Sequence, residues 1–515
     1  MKTFLKNILP ILALIPISFF CSSPAERSEE IPNVVFIFAD DMGYGDVSGL
    51  NPDSRIQTPS IDRLINNGLT FTEAHASASV CTPSRYGLLT GRYAYRNPPA
   101  AGGIGGFDGP VIEKGRETIA SLLKLKGYTT GVIGKWHLGV GWQTKIENES
   151  PKLDRSTGYS NVDYSKKLSG GPNDYGFDYS FIHPASLDIP PYVFIRNHEV
   201  VDPNVILTTD VYPRKLDDTE YSWDKKHSDS LAVYWEKGVW WREGEMSSSF
   251  KVEDCLNEIV KEGLGFIDRN SNKEAPFLLY LPLTGPHTPW VPEEQFKDKS
   301  PIGRYGDFVL NIDDVVKRVT ETLERNGELE NTILIFSSDN GAYWPEIEIE
   351  ETHHDSNNGR RGQKGDIWDG GHHVPLVIHW PAKIKEARVY PHLTSLTDLF
   401  ATLCDLTGIE KGEGRGEDSF SFWGAMNGNV EEAARPNMTH NSSGRYYAIR
   451  KDGWKFIDGL GSGGFTAPSK VKPEPGGPAG QLYDLREDPN ETNNLYLEYP
   501  EKVEALQSEL AKSIE

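Results

Sequence analysis

From Asn33 the run Val34-Val35-Phe36-Ile37-Phe38 is apolar throughout and ends at Ala39-Asp40-Asp41. An apolar run without alternation marks a strand covered on both faces, the pattern of a parallel sheet lying between helices. The same pattern recurs at 129–133, 277–283 and 332–337, with a shorter strand at 69–74, while 60–66, 118–126 and 308–325 carry helical spacing. Each long apolar run leads into polar residues: Lys135 and His137, Pro286-His287, and Ser338-Asp339-Asn340. These elements predict an α/β fold, a large mixed, mostly parallel sheet sandwiched by helices. Its chemistry is expected along one edge, because open α/β sheets bind ligands at the carboxyl ends of their strands.

Between 150 and 250 the pattern loosens into a polar, aromatic-rich stretch holding Trp223, Trp235, Trp240 and Trp241. Stretches of this length read as surface loops; a substrate-shaping role and plain packing on the main domain stand level. After Asp405 the character changes to short strand-like runs at 446–450, 454–457 and 481–485, closed by a helix with Val503, Leu506, Leu510 and Ile514 on one face. The expected organisation is a signal at 1–21, a catalytic domain at 31–405 with a loop-rich insertion at about 150–250, and a smaller C-terminal α+β unit at 406–515. No internal repeat or heptad is visible.

Residues 1–21 place Lys2 and Lys6 ahead of an apolar run interrupted by Pro10 and Pro16, an export signal too short and broken to make a good membrane span. Cys21-Ser22-Ser23 resembles the start of a bacterial lipoprotein, in which Cys21 would carry a lipid anchor. Phe20 departs from the small residue expected before such a cysteine, so soluble export competes. Either reading places the protein outside the cytosol, in the periplasm or on the outer surface of a bacterium.

Composition narrows the partners. The 515 residues include 12 Trp, 22 Tyr and 21 Phe and carry a net charge of −22, which fits a globular enzyme-sized body and speaks against nucleic acid. An anionic substrate would need a local basic pocket. Of the four cysteines, Cys21 belongs to the signal, and Cys255 and Cys404 are expected to be reduced and buried, although they could pair. Cys81 remains, at the predicted start of a helix.

Cys81-Thr82-Pro83-Ser84-Arg85, continued by Leu88-Leu89-Thr90-Gly91-Arg92, resembles the signature of the type I sulfatases. Gly134-Lys135-Trp136-His137-Leu138-Gly139 resembles their second signature, and further matches follow in the family's order through about Pro381. The resemblance implies an alkaline-phosphatase-like fold and a Cys81 oxidised by a separate maturation enzyme to Cα-formylglycine, whose hydrate is a geminal diol. It implies metal ligands at Asp40, Asp41, Asp339 and Asn340, an oxygen set suited to Ca²⁺ or Mg²⁺. Catalytic roles fall on Arg85, Lys135, His137, His287 and Lys364. Lys135 and His137, two apart, would point the same way on an extended segment. Substrate contacts are expected at Ser186 and at His183. A substrate contact is also expected at His373, which stands where the family commonly has an arginine, so that the substrate-facing or packing role of that arginine is in doubt here.

What the resemblance implies as chemistry is attack on sulfur by one diol hydroxyl, protonation of the leaving alcohol by His287, and release of sulfate as His137 takes a proton from the second hydroxyl. The expected reaction is hydrolysis of a sulfate monoester on a sulfated saccharide. Two alternatives remain, a phosphonate or phosphate ester hydrolase of the same superfamily and a catalytically silent glycan-binding protein. The Tyr343-Trp344 pair is a candidate sugar-stacking platform, with core packing as the competing reading.

Overall fold

The structure is a computed structural model that describes residues 31–212 and 242–514. The expected export signal with Cys21, and Trp223, Trp235, Trp240 and Trp241, lie outside the described residues. The main sheet has ten strands: β1 (Asn33–Asp40), β2 (Leu69–Phe71), β3 (Thr129–Lys135), β4 (Tyr179–His183), β5 (Ile195–Arg196), β6 (Glu199–Val200), β7 (Phe277–Pro286), β8 (Thr332–Ser338), β9 (Leu376–His379) and β10 (Arg388–Tyr390). Their spatial order is β10-β2-β9-β8-β1-β7-β3-β4-β5-β6. The central run from β8 to β4 is parallel throughout, and antiparallel pairs begin on either side of it, at β8–β9 and β4–β5.

Strand β1 lies at the centre and shows why its run is apolar without alternation. Val34, Phe36 and Phe38 enter one buried cluster together with Leu88 and Leu89, while Val35, Ile37 and Ala39 enter a second with Ile61, Ile259 and Phe308. Successive side chains leave opposite faces of a strand, so a strand covered on both sides is apolar at every position. The first cluster is closed by α2 (Cys81–Thr90) and α3 (Ile119–Lys124), the second by α1 (Pro59–Asn66), α4 (Cys255–Asn270) and α5 (Arg304–Arg325). No described helix is long and apolar enough to cross a membrane. Cys255 and Cys404 are free and buried.

The strands outlast their apolar runs. β3 extends through Lys135, β7 through Pro286 and β8 through Ser338, so polar residues stand within the strand ends as well as after them. The 150–250 stretch departs from its loop reading, because its middle supplies β4, β5 and β6 to the sheet edge. β4 reads Tyr-Ser-Phe-Ile-His, too short and mixed to declare itself, and it is fixed by pairing with β3 from Gly131↔Tyr179 to Lys135↔His183.

The C-terminal strands β11 (Met438–Asn441), β12 (Tyr447–Lys451), β13 (Trp454–Ile457) and β14 (Gln481–Asp484) form an antiparallel sheet in that order. On one face α6 (Pro500–Ile514) presents Val503, Leu506 and Leu510 to Ile449, Trp454, Phe456 and Leu482. On the other face Ala448, Ile457 and Tyr483 meet Ile367 and Trp368 of the main body. The joint between the two sheets is ionic at its centre. Asp369 accepts from Arg450 at 3.0 Å and from Lys455 at 2.8 Å, and Arg450 also pairs with Glu73 at 2.7 Å.

His75, His372 and His440 are buried in that joint, with His75 Nδ1 and His372 Nδ1 3.0 Å apart. Burial, with the charge of Arg450, pushes His75 down to about 3. Burial also holds His372 and His440 well below the ordinary imidazole value, with Lys455 adding to the effect on both. These imidazoles are neutral in the folded chain and take up protons near pH 6.5 once unfolded. Their contribution is therefore complete above about pH 6.5 and is lost as pH falls toward the folded values. Denaturant unfolding should show stability falling below pH 6.5, by up to about 1.4 kcal/mol per pH unit for each histidine, less the opposite contribution of Glu491, which pairs with Lys455 at 2.8 Å and which burial raises to about 7. A flat profile from pH 7 to 5 would contradict this account.

Candidate active site

Cys81 opens α2, preceded by Val80 in an extended conformation, and every residue of this helix is buried. Pro83 is tolerated because the first turn has no intrahelical partner for its missing N–H. Arg85 lies one turn after Cys81 and so emerges on the same face. Its Nε donates to Asp339 at 2.9 Å, its Nη2 to Asp40 at 3.2 Å and its Nη1 to the Lys135 carbonyl at 3.1 Å. The helix is thereby tied to the ends of β1, β8 and β3.

The carboxylates converge because their strands are neighbours in parallel register, with Ala39 opposite Ser338. Beyond β1 the chain turns at Asp41, whose φ of 64° is left-handed, and the Asp41 amide donates to Asp339 Oδ1 at 3.1 Å. The turn is held from behind by Asp46, which accepts from the Gly43 amide at 2.8 Å, from Tyr305 and from His354 at 2.9 Å. Across β7, Gly134 brings β3 close enough that a Cβ would lie 1.8 Å from the Pro282 carbonyl. The next residue, Lys135, reaches Asp40 at 2.8 and 2.7 Å and also bonds Ser186.

Lys364 comes from a loop suspended between the two sheets: its amide bonds the Ala342 carbonyl at 3.0 Å and the Gly365 amide bonds the Ser79 carbonyl at 2.8 Å. Its Nζ reaches Asp41 at 2.7 Å. His287 Nε2 lies 3.7 Å from Asp41 and 3.5 Å from Ser186 Oγ. Cys81 Sγ is 3.6 Å from Asp40 Oδ1.

Burial would raise the Asp40 carboxyl, but the charges of Lys135 and Arg85 outweigh it and bring it to about 2. Burial works against Asp41 in the same way, and Lys364 keeps its carboxyl below the usual range. Burial also pushes the Cys81 thiol up to about 12, with the Asp339 charge adding to the rise. As encoded, Cys81 is therefore a protonated thiol and a poor nucleophile. Burial followed by the Lys135 charge keeps His137 neutral, with Nε2 on the Ile104 carbonyl at 3.0 Å and Nδ1 without a partner.

The donor set fits a hard divalent cation. Ligand atoms of Asp40, Asp41, Cys81 and Asp339 all lie within 4.8 Å of one another. Asn340 donates its amide to Asp41 at 2.7 Å, while its Oδ1 is buried without a partner. An orphaned amide oxygen beside three carboxylates is what an oxygen-liganded Ca²⁺ or Mg²⁺ requires.

A cavity of about 610 Å³ opens onto this cluster, lined by Cys81, His137, Ser186, His287 and Lys364 among others. Asp40, Asp41, Asp339, Asn340, Lys135 and Arg85 are buried around its floor. Lys135 and His137 are not presented as an extended pair: Lys135 ends β3, whereas His137 sits at a left-handed φ of 54°. Two expected substrate contacts are corrected. His183 is fully buried, both ring nitrogens face the carbonyls of Val193 and Ser186, and it stacks on Tyr192 and Phe250. It shapes the Ser186 turn and does not line the cavity. His373 stacks on Tyr44 at 4.4 Å and bonds the Thr72 carbonyl at 3.0 Å, so it has a packing role. Trp344 is likewise core, against Tyr305 and Trp290.

Other parts of the cavity wall were not anticipated. Gly103 to Asp108 line it, with the Ile104 carbonyl on His137, and Lys152, Arg155, Asp188, Arg242 and Phe465 line it as well. The glycine-rich stretch Ala101-Gly102-Gly103-Ile104-Gly105-Gly106 was a legible signal of backbone passing close to a site; the isolated charged residues carried none.

An α/β sheet with carboxylates, lysines and histidines gathered at its carboxyl edge is arranged to hold an anion beside proton donors and acceptors. The sulfatase family model matches residues 32–409, and the chain belongs to that family of sulfuric ester hydrolases. It is 33% identical over 534 aligned positions to an N-acetylgalactosamine-6-O-sulfatase of Bacteroides thetaiotaomicron, covering 99% of each chain. It is 30% identical to arylsulfatase H of Canis lupus familiaris, over 79% of this chain and 75% of that one. A solved Bacteroides thetaiotaomicron structure, described under the metabolism of multiple glycosaminoglycans, superposes with a TM-score of 0.77 at 31% identity, covering 94% and 99% of the two chains.

Arg85→Ala would leave Asp40 and Asp339 buried without the guanidinium that bridges them. Removing one partner of a buried charge network costs about 3–5 kcal/mol, and denaturant unfolding of the variant should show a loss of that size. A change below about 0.5 kcal/mol, the range of an ordinary surface substitution, would contradict the role assigned to Arg85.

Proposed function

We propose that this chain hydrolyses the O-sulfate ester of a sulfated amino sugar within a saccharide such as a glycosaminoglycan fragment, after Cys81 has been oxidised to formylglycine by a maturation enzyme. The observation that carries the reading is that Cys81, His287 and Lys364 line one cavity while Cys81 also lies in one cluster with Asp40, Asp41 and Asp339, beside Asn340. The relative named as an N-acetylgalactosamine-6-O-sulfatase supports the amino sugar as the first substrate to try.

The hydrated formylglycine would supply a hydroxyl for attack on sulfur, whose proton would pass to a carboxylate beside it, Asp40 Oδ1 being 3.6 Å from Cys81 Sγ, and a second hydroxyl through which the aldehyde would re-form with release of sulfate by C–O cleavage. A divalent cation held by Asp40, Asp41, Asp339 and Asn340 would supply positive charge beside a sulfate oxygen. The protein side chains do the rest. Lys135 and Lys364, now paired with Asp40 and Asp41, keep two ammonium groups fixed beside the position of the anion, so stabilising charge needs little reorganisation. Ser186 links Lys135 to His287 and orients both. His287 gives a proton to the leaving alcohol. His137, neutral and with Nδ1 unpartnered, accepts a proton from the second hydroxyl.

The charge and apolar pattern of residues 1–21 supports export, with lipid attachment at Cys21 as the competing end state. Export would bring the enzyme to sulfated polysaccharides outside the cytosol.

Peptide mass spectrometry of matured protein should find the Cys81 peptide as formylglycine, and Cys81→Ala should abolish turnover. Matched sulfate, phosphate and phosphonate monoesters should show kcat/KM highest for sulfate; equal or better phosphate turnover would overturn the reading. His287→Ala should lower kcat by about 10²–10⁴-fold on an alkyl sugar sulfate and far less on an activated aryl sulfate, whose leaving group needs no proton. Equal losses on both substrates would remove His287 as the acid.

A further inference from the structure

The chemistry described so far occupies only part of the catalytic cavity. Lys152, Arg155, Asp188 and Arg242 line the same cavity, interleaved with Pro151, Leu153, Ile189 and Pro190. In a chain of net charge −22, basic groups gathered at one cavity call for a physical reason. Arg242 is tied to Asp188 at 3.0 Å. Lys152 and Arg155 are exposed, and among the described residues neither side chain has an acidic partner. The nearest carboxylate in sequence, Asp154, is spent on the Ser156 hydroxyl and amide. Among the described residues, two cations at the rim thus stand without an opposite charge.

A second observation concerns Asp188. It is 1% exposed, its Oδ2 accepts from Arg242, and its Oδ1 is buried without any hydrogen-bond partner. A buried carboxylate oxygen without a donor is costly to the folded protein, and a ligand hydroxyl would satisfy it. Asp188 follows Ser186 by two residues, and both line the cavity that holds Cys81. The intervening Pro and Leu side chains offer apolar surface to the C–H face of a sugar ring.

We propose that this wall is a subsite for an acidic saccharide: Lys152 and Arg155 hold the carboxylate or second sulfate of the sugar next to the one being desulfated, and Asp188 accepts a hydrogen bond from a hydroxyl of the bound saccharide. The proposal rests on the sulfated-sugar reading and adds that the preferred substrate carries a second negative group. A guanidinium fork suits either oxyanion, since carboxylate and sulfate both present paired oxygens. Both cations are exposed, so the gain is modest and sensitive to salt.

Binding can be read without turnover by using the matured protein's Cys81→Ala counterpart in calorimetric titrations. Three ligands are compared: a 6-O-sulfated N-acetylhexosamine linked to a uronic acid, to a sulfated neutral sugar, and to an unsulfated neutral sugar. At low ionic strength at least one acidic ligand should bind about tenfold tighter than the neutral one, the scale of two exposed ion pairs, and the preference should shrink in high salt. Whichever arm shows it identifies the anion as carboxylate or sulfate. Adding Lys152→Gln and Arg155→Gln should erase the preference and leave the neutral ligand unchanged. Asp188→Asn should weaken all three ligands by a similar several-fold factor.

Equal affinity for acidic and neutral ligands, or a preference that survives the double substitution, overturns the anion subsite. Unchanged affinity in Asp188→Asn overturns the role of Asp188. Because no reaction is measured, a protein that binds the acidic disaccharide yet releases no sulfate contradicts the proposed reaction and not the subsite.

Discussion

Three buried carboxylates, Asp40, Asp41 and Asp339, are held together by Arg85, Lys135 and Lys364, and the rest of the molecule is arranged to keep that cluster intact. Like charges this close and this far from water repel strongly, so each needs an opposite charge with its own hydrogen bonds. Arg85 meets two carboxylates and a strand carbonyl at once, spread across the fixed plane of one guanidinium. The parallel register of β1 with β8 and with β7 brings the groups to one edge. Helix α2 delivers Cys81 and Arg85 to it on one face.

Lys364 shows why the small C-terminal sheet matters to a site it barely touches. The loop carrying Lys364 runs directly into Ile367, Trp368 and Asp369, which are clamped by the apolar face of β12 to β14 and by Arg450 and Lys455. The second sheet thus fixes the far end of a lysine whose near end neutralises Asp41. Phe465, from the same C-terminal region, forms part of the cavity rim. Stability and site geometry are therefore coupled through one ionic joint.

The central sheet was legible because both of its faces are covered, so β1, β3, β7 and β8 are apolar at nearly every position. The edge strands β4, β5 and β6 were not, since a strand of two to five mixed residues acquires its identity from the neighbour it pairs with. The cluster of Cys81, Arg85, Asp40, Asp41, Asp339 and Asn340 could be read because each residue sits at a strand end or helix start in a recognisable motif. His183 and His373 misled for a physical reason: a histidine near a site serves equally well as a buried neutral ring bonded to carbonyls. Lys152, Arg155 and Asp188 belong to no motif, and only the folded chain brings them to the cavity.

The most direct test of the account is the release of inorganic sulfate from a set of position-defined sulfated sugars, measured with protein matured at Cys81 and with the same protein carrying unmodified cysteine. The account predicts sulfate release from an amino-sugar sulfate by the matured form alone, since the buried thiol is protonated and has no second hydroxyl with which to expel sulfate. Equal release by both forms, or no release from any sugar sulfate by fully matured protein, would contradict it.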